Sequence, residues 1–361
     1  MVNYRNIAQA ELSFSPKMNC FVGRNGEGKT NLLDAVCFLS FCKSVSNPID
    51  SQNIRHGEDF FMLQGFYVRE TGEEDEVYCG LKRNRKKSFK HNKKEYRRLS
   101  EHIGLVPLVL VTPSDTDLTA GGSSERRRFI DMAIVQYDHD YIRALTRYNK
   151  ALQQRNAMLK MLNEGAPADE ALLDLWDEIM AKEGTEIFEK RAAFVEAFTP
   201  VFQTFYDEIA GNRERVALRY VSHGQRGDLL QTIREGRQKD KAAGFSLHGI
   251  HKDDLEMSLE GFPIRREGSQ GQTKTYLVAM KLAQFGFLSR AGNRTKPLLL
   301  LDDIFDKLDD SRVEQIVKIV SGGKFGQIFI TDTNRARLNA ILEKIGNDYT
   351  LFNVRQGAIQ P

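Results

Sequence analysis

Residues 23–30 read GRNGEGKT, and the segments on either side of this run leave little choice of local fold. Met18 to Val22 is a short apolar run that ends at the first glycine, and Thr30 to Phe41 carries Leu32, Leu33, Ala35, Val36 and Leu39 at helical spacing. Strand, glycine loop, helix is the order in which backbone N–H groups converge on an anion. The glycines keep Cβ atoms out of the way and the helix start adds partial positive charge. The run fits GxxxxGK[ST], so Gly23, Arg24, Asn25, Gly26, Glu27, Gly28, Lys29 and Thr30 are the candidate cradle for a nucleoside triphosphate, ATP. Lys29 is expected to reach the β- and γ-phosphates and the Thr30 hydroxyl to ligate Mg²⁺. A plain glycine turn is the bland alternative, and the flanking strand and helix weigh against it.

Such a site needs a carboxylate at the tip of a buried strand. Leu298–Asp303, LLLLDD, has that form. Asp302 would address the metal, and Asp303 would orient or deprotonate the attacking water; an acidic cap after a core strand is the alternative. Lys29 and Asp302 lie 273 positions apart, far more than one simple α/β nucleotide-binding domain needs between these motifs. The intervening chain supplies the reason. Helical periodicity runs from Ser124 to about Leu162 and again from Ala171 to Ile209, an antiparallel pair joined around Glu164 to Asp169, with a restart or kink expected at Thr199-Pro200. A polar connection is expected from His223 to Gly244. Glu11 to Ser15, Phe60 to Val68, Glu76 to Leu81, Pro107 to Thr112 and Gln327 to Thr331 read as strands, and Thr273 to Leu288 and Ser311 to Val320 as helices.

The expected architecture is α/β: a discontinuous P-loop head of the ABC/SMC type, with a first part at 1–120, a helical insertion at 121–245 and a second part at 246–361. Ser269, Gln270, Gly271 and Gln272 open a helix about thirty residues before Asp302, which makes a second anion-binding terminus. A serine helix cap is the simple reading. In the ABC/SMC layout this segment is instead the signature loop. It is supplied by a second copy, so that two ATP molecules lie inside a head-to-tail homodimer, and Leu308-Asp309 lies across that interface.

Taken together, VNYRNI, FVGRNGEGKTNLLDAV, IRHGED at 54–59, TPSDTDL at 112–118, ERRRFIDMAI at 125–134, YNKALQQRN at 148–156, SQGQ and LLLLDDIFDKLD resemble the bacterial RecF family, gap-repair ATPases related to SMC heads. The resemblance covers nearly the whole chain in order. It implies an ATP-dependent dimer that binds single-strand/double-strand DNA junctions, works with RecR and RecO to help load RecA, and hydrolyses ATP slowly as a switch. It also implies a nucleotide contact for Arg5. The stretch from Leu118 to Ser123 lacks the lysine and proline common there in the family, and Ile330 to Thr333 stands where transporters carry a histidine.

Lys and Arg total 52 against 49 acids, which excludes a uniformly basic nucleic-acid coat and an acidic solvating chain. Between Lys82 and Arg98, however, ten Lys or Arg and one acid give a local +9, with Phe89 and Tyr96 interleaved. Such a segment can neutralise phosphates, and Lys86, Lys87, Lys90 and Lys93 are its candidate DNA contacts; a solvated hairpin with edge lysines is the alternative. Arg126, Arg127 and Arg128 form a second basic group in which some members are expected to pair with acids. The four cysteines lack metal or disulfide spacing, the start of the chain lacks a secretory layout, and no apolar run approaches a membrane span, so a cytoplasmic setting is expected. The competing function is the nucleotide-binding subunit of a membrane transporter.

Overall fold

The computed structural model of the chain describes residues 1–69, 71–165, 169–211, 214–291, 295–304, 310–345 and 349–360. The elements begin with β1 (Val2–Tyr4), β2 (Ile7–Gln9), β3 (Met18–Val22), α1 (Lys29–Phe41), β4 (Phe60–Val68), β5 (Glu74–Lys82), β6 (Ser88–His91), β7 (Lys94–Glu95) and β8 (Leu108–Val111). Helices α2 (Asp117–Ala120), α3 (Ser123–Ile134), α4 (His139–Asn163) and α5 (Glu170–Ala210) follow. Next come β9 (Val216–Val221), α6 (Leu229–Ala243), β10 (Asp254–Leu259), β11 (Phe262–Pro263) and α7 (Ile264–Glu267). The last stretch holds α8 (Gln270–Arg290), β12 (Leu298–Asp302), α9 (Asp310–Ser321), β13 (Ile328–Asp332), α10 (Arg335–Ile345), β14 (Tyr349–Arg355) and β15 (Ala358–Gln360).

Contacts divide the chain into two compact units, one of Met1–Asp115, Thr204–Arg213 and Lys274–Pro361, the other of Thr116–Gln203 and Glu214–Thr273. In the first, a sheet runs in the order β15-β14-β3-β13-β12-β8, with β3 flanked by β13 and β14 in parallel register. Strands enclosed on both faces read as unbroken apolar runs, and β3 and β13 are buried along their whole length. Phe21 stacks between Phe329 and Phe352, at centroid distances of 6.3 and 5.0 Å. Glu11 to Ser15 is not a strand: β3 has no free edge for it, and instead Phe14 sets its ring edge-on against Phe21, Phe329 and Phe352.

The second sheet of this unit is antiparallel, in the order β2-β1-β4-β5-β6-β7. Helix α1 packs on both sheets. Ala35, Phe38, Leu39 and the adjoining Cys42 join Tyr4, Phe61, Leu63, Val77, Cys79 and Phe89 in one core, while other residues of α1 meet β8, β12 and β13. A helix covered on two sides is apolar nearly all round, as the sequence from Leu32 to Phe41 is. All four cysteines are free and buried.

The other unit is built on α4 and α5. Arg147 pairs with Glu183 and Arg155 with Asp177, so the residue numbers run in opposite directions and the helices are antiparallel. Helix α5 continues through Pro200 without the expected restart, and Thr199 caps nothing: its hydroxyl donates back to the Val195 carbonyl at 2.7 Å. Phe194, Phe198 and Phe202 stack along the same face across that point, and their burial outweighs the one backbone hydrogen bond a proline removes. The expected connection from His223 to Gly244 contains α6, capped by Asp228 and ended by Gly244 at φ +75°. The unit extends past residue 245 because β9 and β10 pair from Val221↔Asp254 to Val216↔Leu259. Fully buried Arg155 lies between Asp177 at 2.5 Å and Asp240 at 2.7 Å and ties α6 to both long helices. Removing one charge of a buried cluster strands the others, so Asp240→Ala is expected to cost about 3–5 kcal/mol in urea unfolding. A loss below about 1 kcal/mol would show that the cluster is compensated by solvent.

Candidate functional site

The loop from Gly23 to Gly28 leaves β3 and enters α1, with backbone constraints at both ends. A Cβ on Gly23 would come within 2.3 Å of the Val354 carbonyl oxygen, and Gly28 sits at φ +117° with Asn6 Oδ1 2.7 Å from where a Cβ would stand. Neighbours hold the loop from outside. The Glu27 carbonyl accepts from Gly357 N–H at 2.8 Å and from Asn6 Nδ2 at 3.1 Å, its carboxylate accepts from Gln356 N–H, and Asn31 Nδ2 donates to Asn6 Oδ1 at 2.8 Å. Arg24, Asn25 and Gly26 are exposed.

Lys29 is buried, its ammonium donating to the carbonyls of Gly23 at 2.7 Å and Arg24 at 3.0 Å. Burial pulls its pKa below the ordinary lysine value, opposed by the charges of Asp303, Asp302, Asp332 and Glu27.

The structure brings the two sequence motifs together. Thr30 Oγ1 donates to the Asp302 carboxylate at 2.9 and 3.1 Å. Asp302 is buried and also accepts from Thr331 Oγ1 at 2.7 Å, while the Asp303 N–H donates to that hydroxyl at 3.0 Å. Asp303 takes φ +50°, the left-handed region, which turns the chain sharply as β12 ends. An open pocket of about 120 Å³ is lined by Asn25, Gly26, Gly28, Lys29, Thr30, Asn31, Asp302 and Asp303. The donors Thr30 and Asp302 are hard oxygens on adjacent element tips, the ligand type Mg²⁺ prefers. Thr331, Asn6 and Asn31 escape sequence reasoning. Only the register Asp302↔Thr331 reveals the first.

Arg5 Nη2 donates to Asp34 at 3.2 Å and to the Ser44 hydroxyl at 3.0 Å. Ser269 is the cap of α8: Gln272 N–H donates to Ser269 Oγ at 3.2 Å and Ser269 N–H to Gln272 Oε1 at 2.9 Å, a reciprocal capping box. Gln270 is exposed and Gly271 half-buried in the first turn, and Gln272 Nε2 donates to Glu214 at 2.5 Å. The helix therefore begins three residues before the expected Thr273. Leu308-Asp309 lies outside the described residues.

The basic segment folds as the end of β5, a turn, β6, a second turn and β7. Lys86 and Lys93 are exposed and Lys90 is half-buried. Lys87 is not available as a contact: it pairs with Asp50 at 2.6 Å, donates to the Cys42 carbonyl at 2.5 Å and stands 4.9 Å above the Phe38 ring. Phe89 is a core residue, and Tyr96 is half-buried, its ring stacked on His91 and its hydroxyl bonded to His102 at 3.1 Å. Arg126 is spent on Asp254 at 2.6 and 3.0 Å and Arg127 on the Asp253 carbonyl at 2.6 Å, leaving Arg128 exposed.

The RecF/RecN/SMC N-terminal domain family matches residues 1–359. A DNA replication and repair protein RecF from Phocaeicola vulgatus is 61% identical over 359 residues, 99% of this chain and 96% of that protein. The chain belongs to the RecF family. A solved structure of the recombination mediator protein RecF with ATP, in the RecFOR pathway, matches with TM-score 0.87 and 28% identity over 99% of this chain and 95% of that one. An Smc head domain from Pyrococcus furiosus matches at TM-score 0.56 and 17% identity, covering 99% of this chain and 93% of that one, a likeness of fold. The architecture is thus the ABC/SMC-type head, and RecF-family membership sets the transporter reading aside. Among the described residues no helix is long and apolar enough to cross a membrane.

In this RecF-family chain Thr331 serves Asp302 and Asp303 together. Thr331→Val keeps the shape but removes a donor and an acceptor from buried partners, so a loss of about 1–3 kcal/mol is expected. Thermal unfolding with calorimetry measures it, and an unchanged midpoint would show that the hydroxyl is dispensable.

Proposed function

We propose that this chain is an ATP-switched DNA-binding protein of replication and recombinational gap repair, acting as a homodimer. The observation that carries the reading is the Thr30–Asp302 pair, 2.9 Å apart at the mouth of a glycine loop with Lys29 behind it. In this reading the loop N–H groups of Gly26, Gly28 and Lys29 and the start of α1 bind the β- and γ-phosphates, and Lys29 supplies a fixed positive charge. Thr30 and Asp302 hold Mg²⁺, which when bound offsets charge on the phosphate oxygens. Asp303, turned by its left-handed backbone, orients the attacking water and takes its proton. Weak, DNA-stimulated hydrolysis then serves to reset the protein.

The capped start of α8, Ser269 to Gln272, is offered to the nucleotide of a second copy. That copy supplies the missing donors to the γ-phosphate, so ATP closes a head-to-tail dimer. The expected 1–120, 121–245 and 246–361 division is adjusted to the compact units, with the discontinuous head at Met1–Asp115, Thr204–Arg213 and Lys274–Pro361 and the insertion at Thr116–Gln203 and Glu214–Thr273. DNA, at single-strand/double-strand junctions, meets Lys86, Lys90 and Lys93; Lys87 supports that surface from below. RecR and RecO, and RecA through them, are the protein partners, a reading supported by the RecFOR pathway of the structural relative. The setting is the cytoplasm.

Two measurements test this. Sedimentation with ATP should shift the protein from monomer to dimer, and Lys29→Met and Ser269→Arg should each abolish the shift; a Ser269→Arg protein that still dimerises would overturn the trans arrangement. Lys86→Glu with Lys93→Glu should weaken DNA binding and reduce its log–log salt slope by about 2, with ATP affinity unchanged. DNA affinity equal to that of the unmodified protein would remove these lysines from the contact.

A further inference from the structure

The antiparallel sheet of the first unit has an outer face with aromatic side chains that its core does not use. Along β4, Phe61 and Leu63 point inward, so Phe60, Met62, Gln64, Phe66 and Val68 share the opposite face. Phe60, Phe66 and Val68 are 44%, 75% and 72% exposed. Isolated apolar residues on a surface need no explanation, but several along one strand face form a patch with a use.

Register decides what stands beside them. Phe60 is opposite Lys82, Gln64 is opposite Tyr78, and Tyr78 is opposite Lys90. The Lys90 ammonium lies 5.6 Å from the centre of the Tyr78 ring. Between these rows Met62 faces Gly80, and a Cβ on Gly80 would meet the Tyr78 hydroxyl at 2.6 Å. The glycine therefore lets the tyrosine ring lean along the sheet over its backbone instead of standing away from it. Two aromatic–lysine pairs thus share one face, next to the exposed lysines of the turns around Lys86 and Lys93. Toward the other end Phe66 is opposite Glu76 and Val68 opposite Glu74, and Gln64 Nε2 donates to Glu76 at 2.8 Å. Those acids bound the basic part of the face.

We propose that this face, through Phe60 and Tyr78 with Lys82 and Lys90, is a stacking platform for unpaired bases of single-stranded DNA. A duplex hides the flat faces of its bases and offers a protein mainly phosphates and groove edges, whereas a single strand offers both bases and phosphates. Aromatic side chains interleaved with lysines on an open sheet match the latter. The cations favour a polyanion over an apolar protein surface. The inference rests on the DNA-binding reading above and adds the recognition of unpaired bases, at residues on the sheet face where the sequence pointed to Phe89 and Tyr96.

The test is fluorescence anisotropy with the full chain and ATP, comparing a thymidine oligonucleotide with an abasic deoxyribose-phosphate strand of equal length. The unmodified protein should prefer the thymidine strand by at least about tenfold. Phe60→Ala with Tyr78→Ala should bring the two affinities within about twofold of each other while affinity for the abasic strand stays. Phe60→Tyr with Tyr78→Phe should keep the preference, which separates stacking from damage to the sheet. Lys86→Glu with Lys93→Glu should weaken both strands in parallel and leave their ratio unchanged. A preference that survives the double alanine variant, or an unmodified protein that binds both strands equally, overturns the platform while leaving the DNA reading intact. Failure to bind either strand overturns both. Loss of ATP-dependent dimer in the double alanine variant would assign the face to a second copy and also overturn the proposal.

Discussion

The buried Asp302 carboxylate is the point on which the ATPase head turns. A carboxylate taken out of water costs several kcal/mol unless donors replace its hydration, and here two hydroxyls do so, Thr30 from α1 and Thr331 from β13. The three residues come from positions 30, 302 and 331, so no local folding step can satisfy the aspartate. The parallel register Asp302↔Thr331, and the contact of α1 with β12 and β13, must form together. The glycine loop is therefore a product of the closed sheet as much as of its own sequence.

The same logic explains why α1 is apolar on more than one side. It begins at the phosphate loop, packs against the parallel sheet along one flank and fills the core of the antiparallel sheet along the other. Lys87 finishes that second contact by capping the end of the helix at the Cys42 carbonyl and neutralising Asp50. A charge that looks like part of a binding run in the sequence is a fastening between a strand and a helix end. Its neighbour Lys86, in the turn that precedes β6, stays exposed.

What was legible from sequence was local. GRNGEGKT, the four leucines before Asp302 and the periodicity of α5 each carry their structure within a dozen or so neighbours, whereas the stretch expected as one helix from Ser124 to Leu162 forms as α3 and α4, because Asp138 turns extended and caps α4 at the Tyr141 N–H. What was not legible depended on partners distant in sequence. Thr331 needed strand order. Glu11 to Ser15 alternates like a strand but finds both edges of β3 taken. Helix α6 hides because its buried positions are Leu229, Ile233, Gly236 and Asp240: two of the four are a glycine under the His248 ring and an aspartate paired with Arg155. Pro200 misleads because an aromatic stripe carries the helix past it.

The basic segment shows how much a charge count loses when it is taken without geometry. Its ten cations sum to a local field, but the fold sorts them by what each ammonium or guanidinium meets. Lys87 is consumed by Asp50, Arg83 Nε donates to the Glu58 carbonyl at 3.0 Å, and Lys90 is laid on Tyr78. Lys82, Arg85, Lys86, Lys93, Lys94, Arg97 and Arg98 remain exposed. Exposed lysines on mobile stems bind phosphate as screened point charges, strongly at low salt and weakly at high. Such contacts hold a strand without choosing among strands, because every nucleic acid offers the same phosphates. Any preference for unpaired DNA must then come from groups that phosphates do not satisfy. On this sheet those are the aromatic rings beside the lysines.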